Sequence, residues 1–129
     1  MKFLVGEWLK AAKDDIAIIT EIIDNEHLTH MVAFHAHQCI EKCFKATLEH
    51  FEEEIGKIHD LRTLYKKVTK HIKLDIDSDL IEKLSGLYID ARYPGELGLL
   101  PYGKPTISDA QKFHQFAEKI YNDIWKALE

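Results

Sequence analysis

Apolar residues recur every three or four positions along almost the whole of this chain, and that period confines it to helices. Trp8, Ala12, Ile16, Ile19, Ile22 and Ile23 mark one face of a first segment, with Asp15 interrupting it. Val32, Ala36, Cys39, Cys43, Thr47 and Phe51 mark a second, and Leu61, Leu64, Tyr65, Val68 and Ile72 a third. Leu84, Leu87, Tyr88 and Ala91 form a fourth; Phe113, Phe116, Ala117, Ile120, Ile124 and Leu128 form a fifth. This is the 3.6-residue period of an amphipathic helix, and no stretch shows the sustained alternation of a half-buried strand. The spacing predicts helices over Glu7–Asp24 and Thr29–Glu53, with further helices starting near His59–Asp60, at Asp79 and at Ser108. Asp79 with Glu82, and Ser108 with Gln111, have the spacing of capping boxes. Short links between amphipathic helices favour an all-α, up-and-down antiparallel helical bundle of four to five helices, built as a single domain from residues 1–129.

Bulk properties narrow the function. The apolar fraction is 46% and the charged fraction 30%, ordinary values for a globular domain with one core. No apolar run approaches the roughly 20 residues of a membrane helix, and Met1–Gly6 is too short for a secretory signal, so the expected compartment is the cytoplasm with no membrane partner. A formal charge of −5 argues against coating nucleic acid by bulk charge. The two cysteines, Cys39 and Cys43, supply half a tetrahedral metal set at an unusual spacing. They are expected as small buried residues, and neither a metal nor another cofactor is expected. His35 and His37 point to different faces of one helix and cannot chelate together. Arg62, Lys66, Lys70 and Lys73 are expected as a basic stripe along the outer face of the third helix.

Two places hold chemistry-bearing residues at suggestive spacing. Gln38, Glu41 and Lys45 share one strip of the second helix beside its core face. Glu41 preceding Lys45 by four is the favourable order for a helical ion pair, worth about 0.2–0.5 kcal/mol when solvated. Arg92, one of only two arginines, stands a turn after Tyr88, and Pro94–Gly95 breaks the chain just beyond. An arginine there either meets the negative end of the helix dipole or aims its planar fork at a phosphate or carboxylate. The stretch from Pro94 to Thr106 is long, carries three glycines and two further prolines, and is apolar at Leu97, Leu99, Leu100 and Tyr102. A loop of that length is usually functional, and its apolar residues call for cover from the bundle or a second subunit.

Taken in order, these blocks resemble the HEPN domain family. Trp8 with Ala12, Asp15 and Ile16 is similar to the family's opening. Phe34-x-x-x-Gln38-x-x-Glu41-Lys42-x-x-Lys45-Ala46, then His59-Asp60-Leu61-x-x-Leu64, then Leu84-x-x-x-Tyr88-x-x-x-Arg92-Tyr93-Pro94 match its successive blocks. Each block alone fits any amphipathic helix; the ordered set carries the resemblance. It implies a homodimeric helical bundle of bacterial or archaeal type, often encoded beside a minimal nucleotidyltransferase in a toxin–antitoxin-like pair. It also implies nucleotide binding and, in many members, metal-independent ribonuclease activity from an arginine followed after four to six residues by a histidine.

That motif is absent here. Cleavage without metal needs a group to move the 2′-hydroxyl proton and a cation for the pentavalent phosphate. Arg92 is followed by Tyr93-Pro-Gly-Glu-Leu-Gly-Leu99, with no histidine at any required position, and Arg62 starts no such motif either. His59 is the one candidate for a displaced base; its alternative role is to cap or brace the third helix. Three readings stay open. The first is a non-catalytic module binding a nucleotide or a nucleotidyltransferase partner in a cleft of Asp15, Gln38, Glu41, Lys45, Arg92 and Tyr93. The second is a ribonuclease using His59. The third is a structural bundle in which the same charges only hold helices together.

Overall fold

The computed structural model describes residues 1–92 and 104–129, with residues 89–92 described as helical backbone only. The described residues form five α-helices and one short 3₁₀ turn, with no strand among them. Helix α1 spans Phe3–Ile22, α2 Thr29–His50, α3 Leu61–Val68, α4 Ser78–Arg92 and α5 Ile107–Leu128; the 3₁₀ turn is Glu26–Leu28. The fold is an all-α bundle organised around α2, which packs against each of the other four helices. That central place explains why Ile40, Phe44, Ala46 and Leu48 are all sealed from solvent, at angles covering most of the helix's circumference. Val5 and Leu9 from α1, Leu61 and Leu64 from α3, Ile81 and Leu84 from α4, and Phe113, Ile120 and Ile124 from α5 close the same core. Cys39 and Cys43 lie within it as free thiols, and burial, with the Cys39 contact adding to it, holds the Cys43 thiol well above its usual range.

The helix ends are set by local hydrogen bonds, and several differ from the spacing-based boundaries. Helix α1 starts at Phe3 rather than Glu7 and stops at Ile22, because Asn25 turns the chain by accepting from the His27 N–H at 2.9 Å. Helix α2 stops at His50 rather than Glu53. Glu52 adopts φ 58°, and the Glu53 N–H donates back to the Leu48 carbonyl at 2.9 Å while the Glu52 N–H reaches Glu49 at 3.1 Å. These paired bonds form a Schellman cap with glutamate where glycine is the usual residue. Helix α3 ends at Val68, short of Ile72, so Lys70 and Lys73 are off the helix and the expected basic stripe does not form. Arg62 is instead engaged by Asp60 and Glu82. Asp77, not Asp79, caps α4, accepting from the Asp79 N–H at 2.9 Å; Glu82 is turned to Arg62. The capping box of α5 is Thr106 with Asp109 rather than Ser108 with Gln111, since a carboxylate in the first turn also meets the positive end of the helix dipole.

Candidate functional site

The strip of α2 carrying Gln38, Glu41 and Lys45 is covered by Trp8 of α1, Tyr88 of α4 and His59 of the connection leading into α3. Glu41 and Lys45 are 5% and 6% exposed, so they are not the solvated pair that their spacing alone allows. The Lys45 ammonium donates to Glu41 Oε2 at 3.0 Å. Its other face lies 5.5 Å from the centroid of the Trp8 ring, so α1 supplies both the cover and a cation–π contact. His59 Nδ1 lies 3.1 Å from the same Glu41 oxygen. His59 therefore does not cap α3, as its position would suggest; Asp60 takes that role by accepting from the Arg62 N–H at 3.0 Å. The His59 side chain is 52% exposed. When Nδ1 donates to Glu41, its second nitrogen is left as an acceptor.

Glu41 has a second oxygen with a different fate. Oε1 is buried, and His37 Nδ1 stands 3.9 Å away, too far for a hydrogen bond. Neither atom has a hydrogen-bond partner among the described residues. A buried polar atom without a partner costs about 1–3 kcal/mol, so this corner favours whatever brings it a donor. The His37 ring itself is fixed by stacking on Tyr88 of α4, with centroids 3.8 Å apart and planes 7° from parallel. Phe34 also stacks on the same tyrosine, at 5.6 Å. Burial, opposed by the Glu41 carboxylate, lowers the His37 pKa to about 4, leaving it neutral at physiological pH. Gln38 joins the group by donating to the Tyr88 hydroxyl at 3.4 Å.

Asp15 belongs to a neighbouring cluster. It sits on α1, 4% exposed, and its two oxygens are taken by His35 Nδ1 at 2.9 Å and the Lys42 ammonium at 2.8 Å. Those residues lie one strip further round α2 than Glu41 and Lys45. The structure thus brings Gln38, Glu41, Lys45 and His59 into one polar cluster and places Asp15 in an adjoining one with His35 and Lys42. Arg92 closes the backbone of α4, but its side chain and all of Tyr93 lie outside the described residues, as do residues 94–103 of the long irregular stretch. His37, Tyr88 and Trp8 were not picked out from the sequence as site residues, nor were His35 and Lys42. The usable signal was Asp15 itself: a carboxylate at a core position of α1 requires cationic partners on the helix it packs against. No group of three metal-ligating side chains converges among the described residues, and no described helix is long and apolar enough to cross a membrane.

A central helix bearing a buried carboxylate–ammonium pair, lined by aromatic rings from two neighbours, defines a helical-bundle domain with a buried polar cluster. The HEPN domain family matches residues 5–127, nearly the whole chain, and the chain belongs to that family. Its function thereby falls within the range of HEPN domains, which is often tied to nucleotides or RNA. No curated protein and no solved structure matches it.

Proposed function

We propose that this chain is a HEPN module that binds and does not cut. Its cleft takes a nucleotide, or a matching face of a minimal nucleotidyltransferase encoded with it in a toxin–antitoxin-like pair, and it works in the cytoplasm as a homodimer. The observation that carries this reading is Glu41: one oxygen is held by Lys45 and His59, and the other is buried next to neutral His37 with no hydrogen-bond partner among the described residues. Such a corner accepts a hydrogen-bond donor, and an amino group on a base or a partner side chain provides one. Arg92, at the end of α4, supplies the fork for a phosphate or carboxylate. The lack of a histidine over Tyr93–Leu99 removes the proton carrier that the family's ribonucleases place there.

The test is titration calorimetry with nucleoside mono- and triphosphates, and with the neighbouring gene product where that is a nucleotidyltransferase. Arg92→Ala should weaken binding at least tenfold while leaving the melting temperature nearly unchanged. Equal affinity of wild type and variant refutes this reading.

One observation favours a second reading. The His59–Glu41 contact has the form of a base and its orienting carboxylate, with the imidazole half exposed and the carboxylate buried, an arrangement suited to general base catalysis. RNA cleavage by wild-type protein in excess chelator, lost in His59→Ala, would establish that reading and overturn the first.

A further inference from the structure

At the start of α1 a groove of about 470 Å³ opens between that helix, the end of α2 and the connection after it, lined by Leu4, Glu7, Trp8, Glu49, Ile55 and Gly56. Leu4, Glu7 and Trp8 share one side of α1, being three and four residues apart. Gly56, at φ 62°, turns the chain that leaves α2, and Ile55 beside it packs on the core. We propose that this groove docks a partner protein through a basic, amphipathic segment of that partner. Its apolar side chains lie on Leu4, Trp8 and Ile55, and an arginine or lysine is held by Glu7 and Glu49.

Glu49 carries the argument. Its side chain is half-buried and has no ion pair or hydrogen bond among the described residues. Every other described carboxylate that is buried or half-buried has a lysine or histidine partner: Asp15, Glu41, Glu53, Asp109, Glu118 and Asp123. The reason is local. Lys45 stands four residues before Glu49 on the same face of α2, but its ammonium is turned to Glu41 at 3.0 Å. Lys2 reaches the end of α2 and is taken there by Glu52 at 2.9 Å. A carboxylate withdrawn from water without a partner is unfavourable, so the groove favours an occupant that brings a cation. Glu7 of α1, also unpaired among the described residues, adds a second acceptor, and the planar fork of an arginine has donors for both.

The rest of the lining is apolar, and the apolar surface runs on beyond the groove: Met1, Phe3 and Leu4 are 58%, 78% and 54% exposed. Exposed apolar side chains gathered in one patch with a polar rim mark an interaction surface. An isolated cation would leave Leu4 and Ile55 uncovered, and a wholly apolar segment would leave Glu49 unpaired; a segment carrying both kinds of side chain does neither. A lipid surface fits less well. Helices that lie on anionic membranes carry lysine and arginine beside their apolar face, where this patch carries Glu7 and Glu49.

The test uses the full chain carrying Trp125→Phe, so that Trp8 is its sole tryptophan, and three synthetic peptides of equal length. One is an amphipathic leucine–arginine helix, one has its arginines replaced by glutamate, and one has its leucines replaced by serine. The leucine–arginine peptide should bind and shift the Trp8 emission, and the other two should bind at least about tenfold more weakly. Glu49→Gln and Leu4→Ser should each weaken the leucine–arginine peptide about tenfold. Glu49→Gln should leave the melting temperature unchanged or higher, since it removes an unpaired charge. Asp14→Asn/Glu21→Gln, which removes two exposed charges of α1 outside the groove, should change nothing. Absence of binding by the leucine–arginine peptide overturns the proposal. So does equal binding by the serine peptide, or an equal loss in Asp14→Asn/Glu21→Gln, since either reduces the effect to bulk charge. Self-association in sedimentation equilibrium that is lost in Leu4→Ser assigns the groove to a second copy, and flotation with phosphatidylglycerol vesicles that is lost in Leu4→Ser assigns it to a membrane; both overturn it. Arg92→Ala should leave peptide binding intact, whereas a loss there moves the peptide to the polar cluster on α2 and overturns the groove.

Discussion

Replacing Asp15 by alanine should destabilise this protein while leaving the α2 strip of Gln38, Glu41 and Lys45 untouched. Asp15 is 4% exposed and holds two groups at once, His35 Nδ1 at 2.9 Å and the Lys42 ammonium at 2.8 Å. Removing one partner of a buried pair costs about 3–5 kcal/mol, because the remaining charge is left without compensation. Here the cost is lower, since the Lys42 and His35 side chains keep 26% and 18% of their exposure and can turn partly to water; about 2–3 kcal/mol is expected. With a urea slope of about 1.5 kcal/mol/M for a domain of this size, the unfolding midpoint should fall by about 1.3–2 M. The paired change Asp15→Leu/Lys42→Met removes both charges and should recover most of that loss, as apolar replacements of buried ion pairs commonly do. A midpoint shift under about 0.3 M in Asp15→Ala, or no recovery in the double variant, would refute the triad as the bond between α1 and α2. The outcome also separates Asp15 from the cleft. If Asp15 instead contacted ligand, Asp15→Ala would cost affinity and leave the urea midpoint in place.

Two other perturbations follow from single positions. Burial sets the His37 pKa at about 4 in the folded chain, below the ordinary 6.5, so between those values the unfolded chain takes up a proton that the native state refuses. Stability is therefore fully present above pH 6.5 and lost as pH falls toward 4, by about 2 kcal/mol between pH 7 and pH 5. His37→Phe should flatten that slope in urea titrations at the two pH values, and a wild-type midpoint that does not move would contradict it. Glu52 holds φ 58° at the end of α2, and glycine adopts that conformation without strain. Glu52→Gly should raise the thermal midpoint by a few degrees despite losing the exposed contact to Lys2, whereas an unchanged or lower midpoint in scanning calorimetry would argue against strain at this cap.

What the sequence made legible was the period, and through it the helices and their core. Val32, Ala36, Cys39 and Cys43 are buried as their spacing requires; so are Phe113, Ile120 and Ile124 on α5. Helix ends were less legible because competing caps lie within two residues of one another. Thr106 and Ser108 both offer a hydroxyl, and the choice falls to the one with a carboxylate three residues on. Phe51 failed as a core residue, at 38% exposed, because α2 had already ended in its cap. The expected lysine stripe failed for the same reason at α3: two of its members need a turn of helix that Thr69 closes off, with its hydroxyl donating to the Lys66 carbonyl at 3.1 Å.

The cleft shows why one helix's spacing cannot by itself identify a site. Gln38, Glu41 and Lys45 were legible as a strip, but whether a strip is solvated or buried is decided by what lies over it. Trp8 decides it here. Its ring covers Lys45, and with the ammonium turned inward, Glu41 is the acceptor that meets it. That in turn commits one carboxylate oxygen to Lys45 and His59 and leaves the other facing His37. Asp15 is the converse case: its place on the core face of α1 was legible, but its partner strip was not. His35 and Lys42 stand only slightly further round α2 than Gln38, and the rotation of α1 against α2 chooses between them. A single rotation thus separates a structural ion triad from a cleft with an unspent acceptor, and the difference between stability loss in Asp15→Ala and affinity loss in Arg92→Ala measures it.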